Sequence, residues 1–579
     1  MESSRHASQP HTMGSAQAPD VEPMPDEDEE DDEDESLSAG SVDDQAGLDD
    51  EAKMAVRAIV ECLASMEPAE PEILRAAKAS EALRWFGRVL RGKRRGCDFE
   101  KVSHQTTSIS EFWSHSWHGR KWMKILTLLF IKNGQAATVT AMAGATVGAI
   151  LFAANILPGP EWEQNVVYQS PRSFWSVGVG TVLYVATLLF WQPQQSIFLD
   201  VLCIDQVDMT RKTKGLLSMG AFLKNSESFL VLWDPSYTRR LWCVFELAAF
   251  LHSHRDQATP KLTIRPTTLG PLNVFLTLAL SLNVAFIGLI PDGNVVLLLA
   301  VQLSIFLVGF YVNAATYRSY FRSIELLQQE LEGFRLDDSR SYCCEAEHRG
   351  GIICDREVIL KCINTWFGSS EIFEHHVRTD VLHVLTEELA TRSFTFWHCL
   401  ASTIPMAWAY MDTASAWIHY RGFGVEPLQL LVQETMRGAG WWLGVVPVLL
   451  LVVVRCAYAL RTKRACRCDS AANFLTLSLG AVVFVAGIML EQVCFRLWAL
   501  CPPLYPEFNK MMYAMIMFCM ISLLASYTFF NVGVHPSKML VGQVAAAPRL
   551  GHEIGYLDSA REHEISGLPA DLSRSALEL

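Results

Sequence analysis

The chain has 579 residues, 50% hydrophobic and only 19% charged, with a mean hydropathy of +0.18. Soluble domains carry about 25% charged residues, so apolar stretches beyond an ordinary core are expected. The net charge of −14 is concentrated: residues 1–50 hold 17 acidic residues against Arg5 alone, a net of −16, which leaves +2 for the other 529. That excludes an acidic nucleic-acid mimic and a generally anionic enzyme, and no nucleic-acid partner is expected.

The first 50 residues include ten consecutive acids, Asp26 to Glu35, a run that repels itself and buries nothing; it predicts a disordered acidic tail. Residues 51–104 read as helical, broken by Pro68 and Pro71, with a second helix carrying Arg75, Lys78, Arg84, Arg88, Arg91 and Lys93 between Leu83, Trp85, Phe86, Val89 and Leu90. A basic amphipathic helix suits a membrane surface. The fifteen cysteines repeat with no spacing and read as reduced thiols.

A membrane span needs roughly 20 apolar residues in helical form. The segments 136–157, 174–190, 269–290, 294–314, 395–411, 438–459, 472–490 and 511–531 qualify or nearly so, about eight transmembrane helices. Basic residues cluster in Arg84–Lys124, Arg211–Lys214, Arg318–Arg322 and Arg461–Arg467, while 158–173, 291–293, 412–437 and 495–509 contain few. The positive-inside rule then places both termini in the cytoplasm of an integral membrane protein in contact with lipid. Ionisable groups are scarce at span centres: Arg455 and Glu491 sit near ends, and His398 is the exception.

Specific chemistry sits in two cytoplasmic stretches. Ile109-Ser-Glu-Phe-Trp-Ser-His-Ser-Trp-His-Gly-Arg-Lys-Trp122 predicts a strand, a polar loop at Ser114–Gly119 and a helix. Ser196-Ile-Phe-Leu-Asp-Val-Leu-Cys-Ile-Asp-Gln206 predicts a buried strand ending in a loop, then a helix near Gly215–Lys224, the strand Ser228–Trp233, a loop to Tyr237 and the helix Arg239–Leu251. Lys261–Arg265 is a further strand candidate. Strands alternating with helices imply a parallel sheet with its functional loops at the strand carboxyl ends.

These motifs, in this order, resemble a TIR domain. The Trp242-Cys243-x-x-Glu246-Leu247 element is similar to the third-helix motif of plant-type TIR domains, and Leu199–Gln206 resembles the first motif of fungal HET domains. The resemblance implies a flavodoxin-like α/β TIR-like domain over 105–134 plus 194–268, split by a transmembrane hairpin at 136–190. Catalytic TIR domains cleave the nicotinamide–ribose bond of NAD with one glutamate, and that residue maps to Glu246. Ser114, Ser116 and His118 would line the nucleotide pocket, with Trp117 as a stacking surface. NAD would be substrate, not cofactor; self-association through the domain is also implied. Many TIR domains are assembly modules without catalysis, in which Glu246 would pair with Arg239 or Arg240 and Trp242 would be core. The last strand–helix units of a full TIR domain have no evident counterpart.

The remaining organisation is a hairpin at 269–314, a cytoplasmic helical segment at 315–393, transmembrane pairs at 395–459 and 472–531, and a disordered tail at 535–579. Cys343, Cys344, His348, Cys354 and Cys362 cluster, but adjacent cysteines fit zinc spacing poorly, and no metal is expected. Cys466 and Cys468 suit lipid modification. The functional class is signalling, by NAD hydrolysis or by assembly; the rival is a channel or transporter whose cytoplasmic domain senses.

Overall fold

The computed structural model describes residues 42–92, 99–117, 119–159, 171–257, 260–289, 295–339, 341, 354–384, 395–462, 466–500 and 510–531. The chain divides into a short N-terminal unit, Met1–Lys53, and a body, Met54–Leu579. Helix α1 (Val42–Ser65) begins inside the stretch read as a disordered tail, so that reading fails for 42–50. The acidic run and the C-terminal tail lie outside the described residues.

The body holds one six-stranded mixed sheet in the order β2-β1-β4-β3-β5-β6. Strands β3 (Glu111–His115), β4 (Ser196–Phe198), β5 (Phe229–Trp233) and β6 (Leu262–Pro266) are its parallel core. All five residues of β5 are buried, as a strand covered on both faces requires. Phe112 stacks on Phe198 and Phe229 of the flanking strands, with ring centroids 4.5 and 5.3 Å apart.

Two sequence expectations fail beside this core. Residues 75–78 are not helix but strand β1 (Arg75–Lys78), antiparallel to β4 and to β2 (Ser103–Gln105). The fully buried Ala76 and Ala77 let β1 approach β4, while Arg75 turns to Glu100 at 2.9 Å. The basic helix shrinks to α2 (Ala79–Gly87). Likewise, β4 stops at Phe198 because Asp200–Cys203 coils into a helical turn.

Five helices among the described residues are long and apolar enough to cross a membrane. The first, α3 (Lys121–Ala153), has 33 residues and is about 50 Å long at 1.5 Å per residue. Lys124 near its start bonds the Ser116 carbonyl at the carboxyl end of β3. Lys132 meets Glu111 at the amino end of that strand and donates to Gln195 Oε1 at 2.8 Å. The helix therefore backs the sheet from one edge to the other and continues past its amino edge. There Gly144 and Gly148 face α4 (Trp175–Phe190), against Leu183 and the Trp175 backbone.

Helix α4 has 16 residues, about 24 Å, short of the hydrocarbon core. Partners from other helices close both its ends. Asn133 Nδ2 donates to the Leu188 carbonyl at 2.9 Å, and the Asp412 carboxylate accepts from Ser176 N and Val177 N at 2.8 and 3.0 Å. Phe190 and Trp191 at the end of α4, and Trp397, are exposed.

Further along come α5 (Met209–Leu217), α6 (Leu241–Ser253), α7 (Leu269–Leu289) and α8 (Val295–Glu332). The segment 395–411 is not one span: a short helix, Phe396–Ser402, ends before Pro405, which opens α9 (Pro405–Arg421). Residues 412–437 are not a loop either. Helix α9 turns at Gly422, with φ +75°, into the 35-residue α10 (Val425–Ala459). Asp412, Glu434 and Arg437 therefore belong to packed helices and not to an outside loop. Glu491, on α11 (Cys466–Leu500), does not snorkel; it is buried, forms an ion pair with Arg437 at 2.8 Å and accepts from Trp441 Nε1 at 2.8 Å. The last helix is α12 (Lys510–Asn531). The fully buried Arg318 of α8 ties the bundle's inner end together, donating to the Leu460 carbonyl at 2.8 Å and Asp469 Oδ1 at 2.7 Å.

Candidate functional site

The carboxyl ends of β3 and β5 bring together chain segments more than 100 residues apart. Strand alternation sends Ser114 to one face of the sheet and His115 to the other. After β5 the chain turns through Asp234–Tyr237 into α6, whose second turn carries Glu246. Ser114 Oγ donates to Glu246 Oε2 at 2.5 Å and lies 2.7 Å from Tyr237 Oη. A serine hydroxyl has a single proton to give. Ser114 therefore accepts from the tyrosine and donates to the glutamate, a relay of three side chains from three elements.

Burial sets the protonation states of that relay. Tyr237 is held well above the usual phenol range by burial, aided by the nearby Cys243 and Glu246, and stays a donor. Burial pushes the Glu246 carboxyl up to about 8; the Ser114 bond pulls it down and the Asp200 charge pushes it further up. Arg239 reaches Glu330 at 3.3 Å, and among the described residues neither Arg239 nor Arg240 forms an ion pair with Glu246. Trp242 is only partly buried and donates to Asp355 Oδ2 at 3.2 Å.

A second cluster locks the loop after β3. Lys124 Nζ lies 3.2 Å from Asp234 Oδ2 and donates to the Ser116 carbonyl. Burial holds the Lys124 ammonium below its ordinary range, against the pull of Asp234. Asp234 Oδ1 accepts from Ser236 N at 2.9 Å, and Ser236 Oγ lies 2.7 Å from Ser116 Oγ. Gly119 passes so close that a Cβ there would overlap the Asp234 carboxylate.

Of the residues expected to line a nucleotide pocket, Ser114 reaches Glu246, whereas the buried Ser116 serves as a latch to Ser236. Trp117 is 37% exposed and donates to Asp200 Oδ2 at 3.1 Å; His118 lies outside the described residues. Sequence reasoning gave no role to Tyr237, Asp200, Lys124 or Asp234. The signal available was position, since each follows a strand of the parallel core or opens the next helix. On the same sheet edge, beyond β4, lies a cleft of about 390 Å³ whose cations Arg75, Arg211 and Lys214 all hold carboxylates.

Among the described residues no group of three or more His, Cys, Asp or Glu is placed to hold a metal ion. Cys343, Cys344 and His348 lie outside them. No protein-family model, no curated protein and no solved structure matches the chain.

Proposed function

We propose that the chain is a multi-pass membrane protein with both termini cytoplasmic, whose TIR-like domain signals by hydrolysing NAD at the nicotinamide–ribose bond. The observation that carries the reading is the convergence of Ser114, Tyr237 and Glu246 at the ends of β3 and β5. The four parallel strands, numbered in chain order, stand 2-1-3-4 across the sheet. That is the flavodoxin-like order, in which ligands bind outside the strand carboxyl ends between the first and third strands. Five apolar helices of sufficient length support the membrane assignment.

The chemistry follows from the environment of Glu246. With its carboxyl pushed up to about 8, the free domain holds a proton there near neutral pH. Bound NAD brings a positive pyridinium, which favours the carboxylate. Glu246 then accepts from a ribose hydroxyl. As the C–N bond breaks, its electron pair leaves with nicotinamide and the ribosyl carbon becomes an oxocarbenium ion facing the carboxylate. Water adds to that carbon and loses a proton to Glu246 or solvent, giving ADP-ribose.

A second reading, an assembly module without catalysis, is favoured by Val207 in the loop before α5 and Met209 at the start of α5, 92% and 66% exposed. Nicotinamide release by full-length protein clustered in proteoliposomes separates the two. Glu246→Gln is expected to lower release by 10²–10³-fold, about 3–4 kcal/mol of transition-state stabilisation. Equal release from both proteins overturns the catalytic reading; none from either, with self-association retained, favours assembly.

A further inference from the structure

The backbone at the end of α2 is strained away from the relay and the latch. Trp85, Phe86 and Gly87 take left-handed conformations in succession, with φ 54°, 55° and 58°. For Trp and Phe that costs energy at each residue, and such a turn persists where its surroundings impose it or function uses it. Gly87 is backed against Ile125 of α3, where a Cβ would overlap, and Arg91 donates to the Trp85 carbonyl at 2.8 Å. The buried Val89 and Leu90 anchor the chain beyond. None of this covers the Trp85 side chain, which stays 68% exposed.

Cations flank that indole. Arg84, Arg88 and Arg91 are exposed on the turn, and a Cβ at Gly92 would lie 3.8 Å from Nζ of Lys121 on α3, beside the exposed Arg120. Glu81, 3.6 Å from Arg84, offsets one of these charges. The patch adjoins the spanning helices. Ala79 N and Ser80 N of α2 donate to the Gln195 and Pro193 carbonyls, at 2.9 and 3.1 Å, in the loop that leaves α4. The exposed Trp122, next to Lys121, meets the ring of Phe275, centroids 6.4 Å apart, and Phe275 is itself exposed on the spanning helix α7. Exposed tryptophans beside a cluster of about four to eight cations at the inner end of a span make a surface that holds anionic headgroups.

We propose that this turn is a binding site for anionic phospholipid, with the arginines and Lys121 on the headgroup and Trp85 in the interfacial layer. The strained backbone then has a use, since it holds the indole outward among the guanidinium groups. The inference rests on the membrane reading of the bundle and is independent of NAD cleavage.

The test is native mass spectrometry of the full-length protein in detergent, titrated with phosphatidylserine, with phosphatidylcholine and with water-soluble glycerophosphoserine. The wild type is expected to retain phosphatidylserine at a concentration about 10-fold below that needed for phosphatidylcholine, and to retain no glycerophosphoserine. Arg84→Gln combined with Lys121→Gln leaves the Arg91 bond to the turn in place. It should weaken phosphatidylserine binding about 10- to 30-fold and leave phosphatidylcholine unchanged. Trp85→Ala, which removes apolar surface and no charge, should weaken both lipids alike, about threefold, and keep the preference. Arg255→Gln combined with Lys261→Gln removes two exposed cations before β6 and should change nothing. A wild-type preference below about twofold overturns the proposal. So does a preference that survives the Arg84 and Lys121 changes, or one that the Arg255 and Lys261 changes reduce as much. Glycerophosphoserine held as tightly as the lipid would make this a site for soluble anions and overturns the lipid assignment. A wild type that stays dispersed without detergent and retains neither lipid brings down the membrane reading itself. Retention of both lipids without preference brings down only the inference.

Discussion

The helical bundle and the sheet edge both bury carboxylates, and they treat them differently. In the bundle, each Asp412 oxygen receives a backbone N–H at the start of α4. Glu491 receives Arg437 on one oxygen and the Trp441 indole on the other. At the sheet edge, Asp234 is neutralised by Lys124. Glu246 has the Ser114 hydroxyl and no cation among the described residues. A buried carboxylate with a full set of donors fastens two elements together. One left short of donors costs stability, and such costs are tolerated where function needs them. The same contrast weighs against the channel alternative, since Asp412 and Glu491 in the bundle are satisfied by the protein itself.

Breaking the neutralised pair should have the largest effect. Lys124→Ala leaves Asp234 buried and uncompensated, and should cost about 3–5 kcal/mol in thermal unfolding of the detergent-solubilised protein. Lys124→Met combined with Asp234→Leu should recover most of that loss. A cost below about 1 kcal/mol for the single change would mean that water reaches Asp234 and that the pair is no fastener. Next in size is Asp412→Ala, which strips two charge-assisted bonds from the start of α4 and should cost about 2 kcal/mol. Asp412→Asn, able to accept through one oxygen, should lose about half as much. Equal losses from Ala and Asn would assign the effect to the charge at the helix terminus.

Glu246→Gln should do the opposite and stabilise. The unfolded chain releases the Glu246 proton near 4.5, the folded one near 8. The Glu246 contribution to wild-type stability therefore falls as pH rises between those values and is level outside them, and the glutamine variant lacks that contribution. The gain should be absent at pH 4 and reach about 2 kcal/mol at pH 8.5, below the full linkage value because the side chain is partly exposed. Unfolding midpoints across that range would show it. A gain independent of pH would mean that packing, and not the charge, distinguishes this carboxylate.

How much of this was legible depended on whether a feature was local. The apolar run Phe229–Trp233 and the helix carrying Glu246 announce themselves, because a fully buried strand and a longer, almost wholly apolar stretch leave composition signals. Strand β1 does not: Arg75-Ala-Ala-Lys78 has helical propensity, and only pairing with β4 and the burial of two alanines make it extended. Hydropathy averaged over 395–411 also hid the break at Pro405, which removes a backbone donor in mid-segment. Asp412 read as a loop residue because the groups that satisfy it are backbone N–H groups of another helix, 235 and 236 residues away. At the site, position after a strand was readable, whereas the relay through Tyr237 depended on a turn whose geometry no spacing encodes.

The smallest predicted effect tests the relay itself. Ser114 donates to Glu246, so its hydroxyl stabilises the carboxylate and pulls the carboxyl down against burial. Ser114→Ala removes that pull while burial remains, and the proton is then held to higher pH. If ionised Glu246 is the active form in the free protein, kcat/KM for NAD cleavage rises with pH through the Glu246 titration, near 8 in the wild type. The variant's limb should lie to the alkaline side by about 0.7 pH unit, the equivalent of about 1 kcal/mol for one hydrogen bond. Its plateau at high pH should stay close to wild type, because the carboxylate is still present once ionised. Tyr237→Phe removes the group that donates to Ser114 but leaves the Ser114–Glu246 bond, so its limb should move in the same direction by less. A plateau lowered more than tenfold with no movement of the limb would place Ser114 against the substrate instead. A limb displaced to the acid side would mean that Ser114 accepts from a protonated Glu246, reversing the relay.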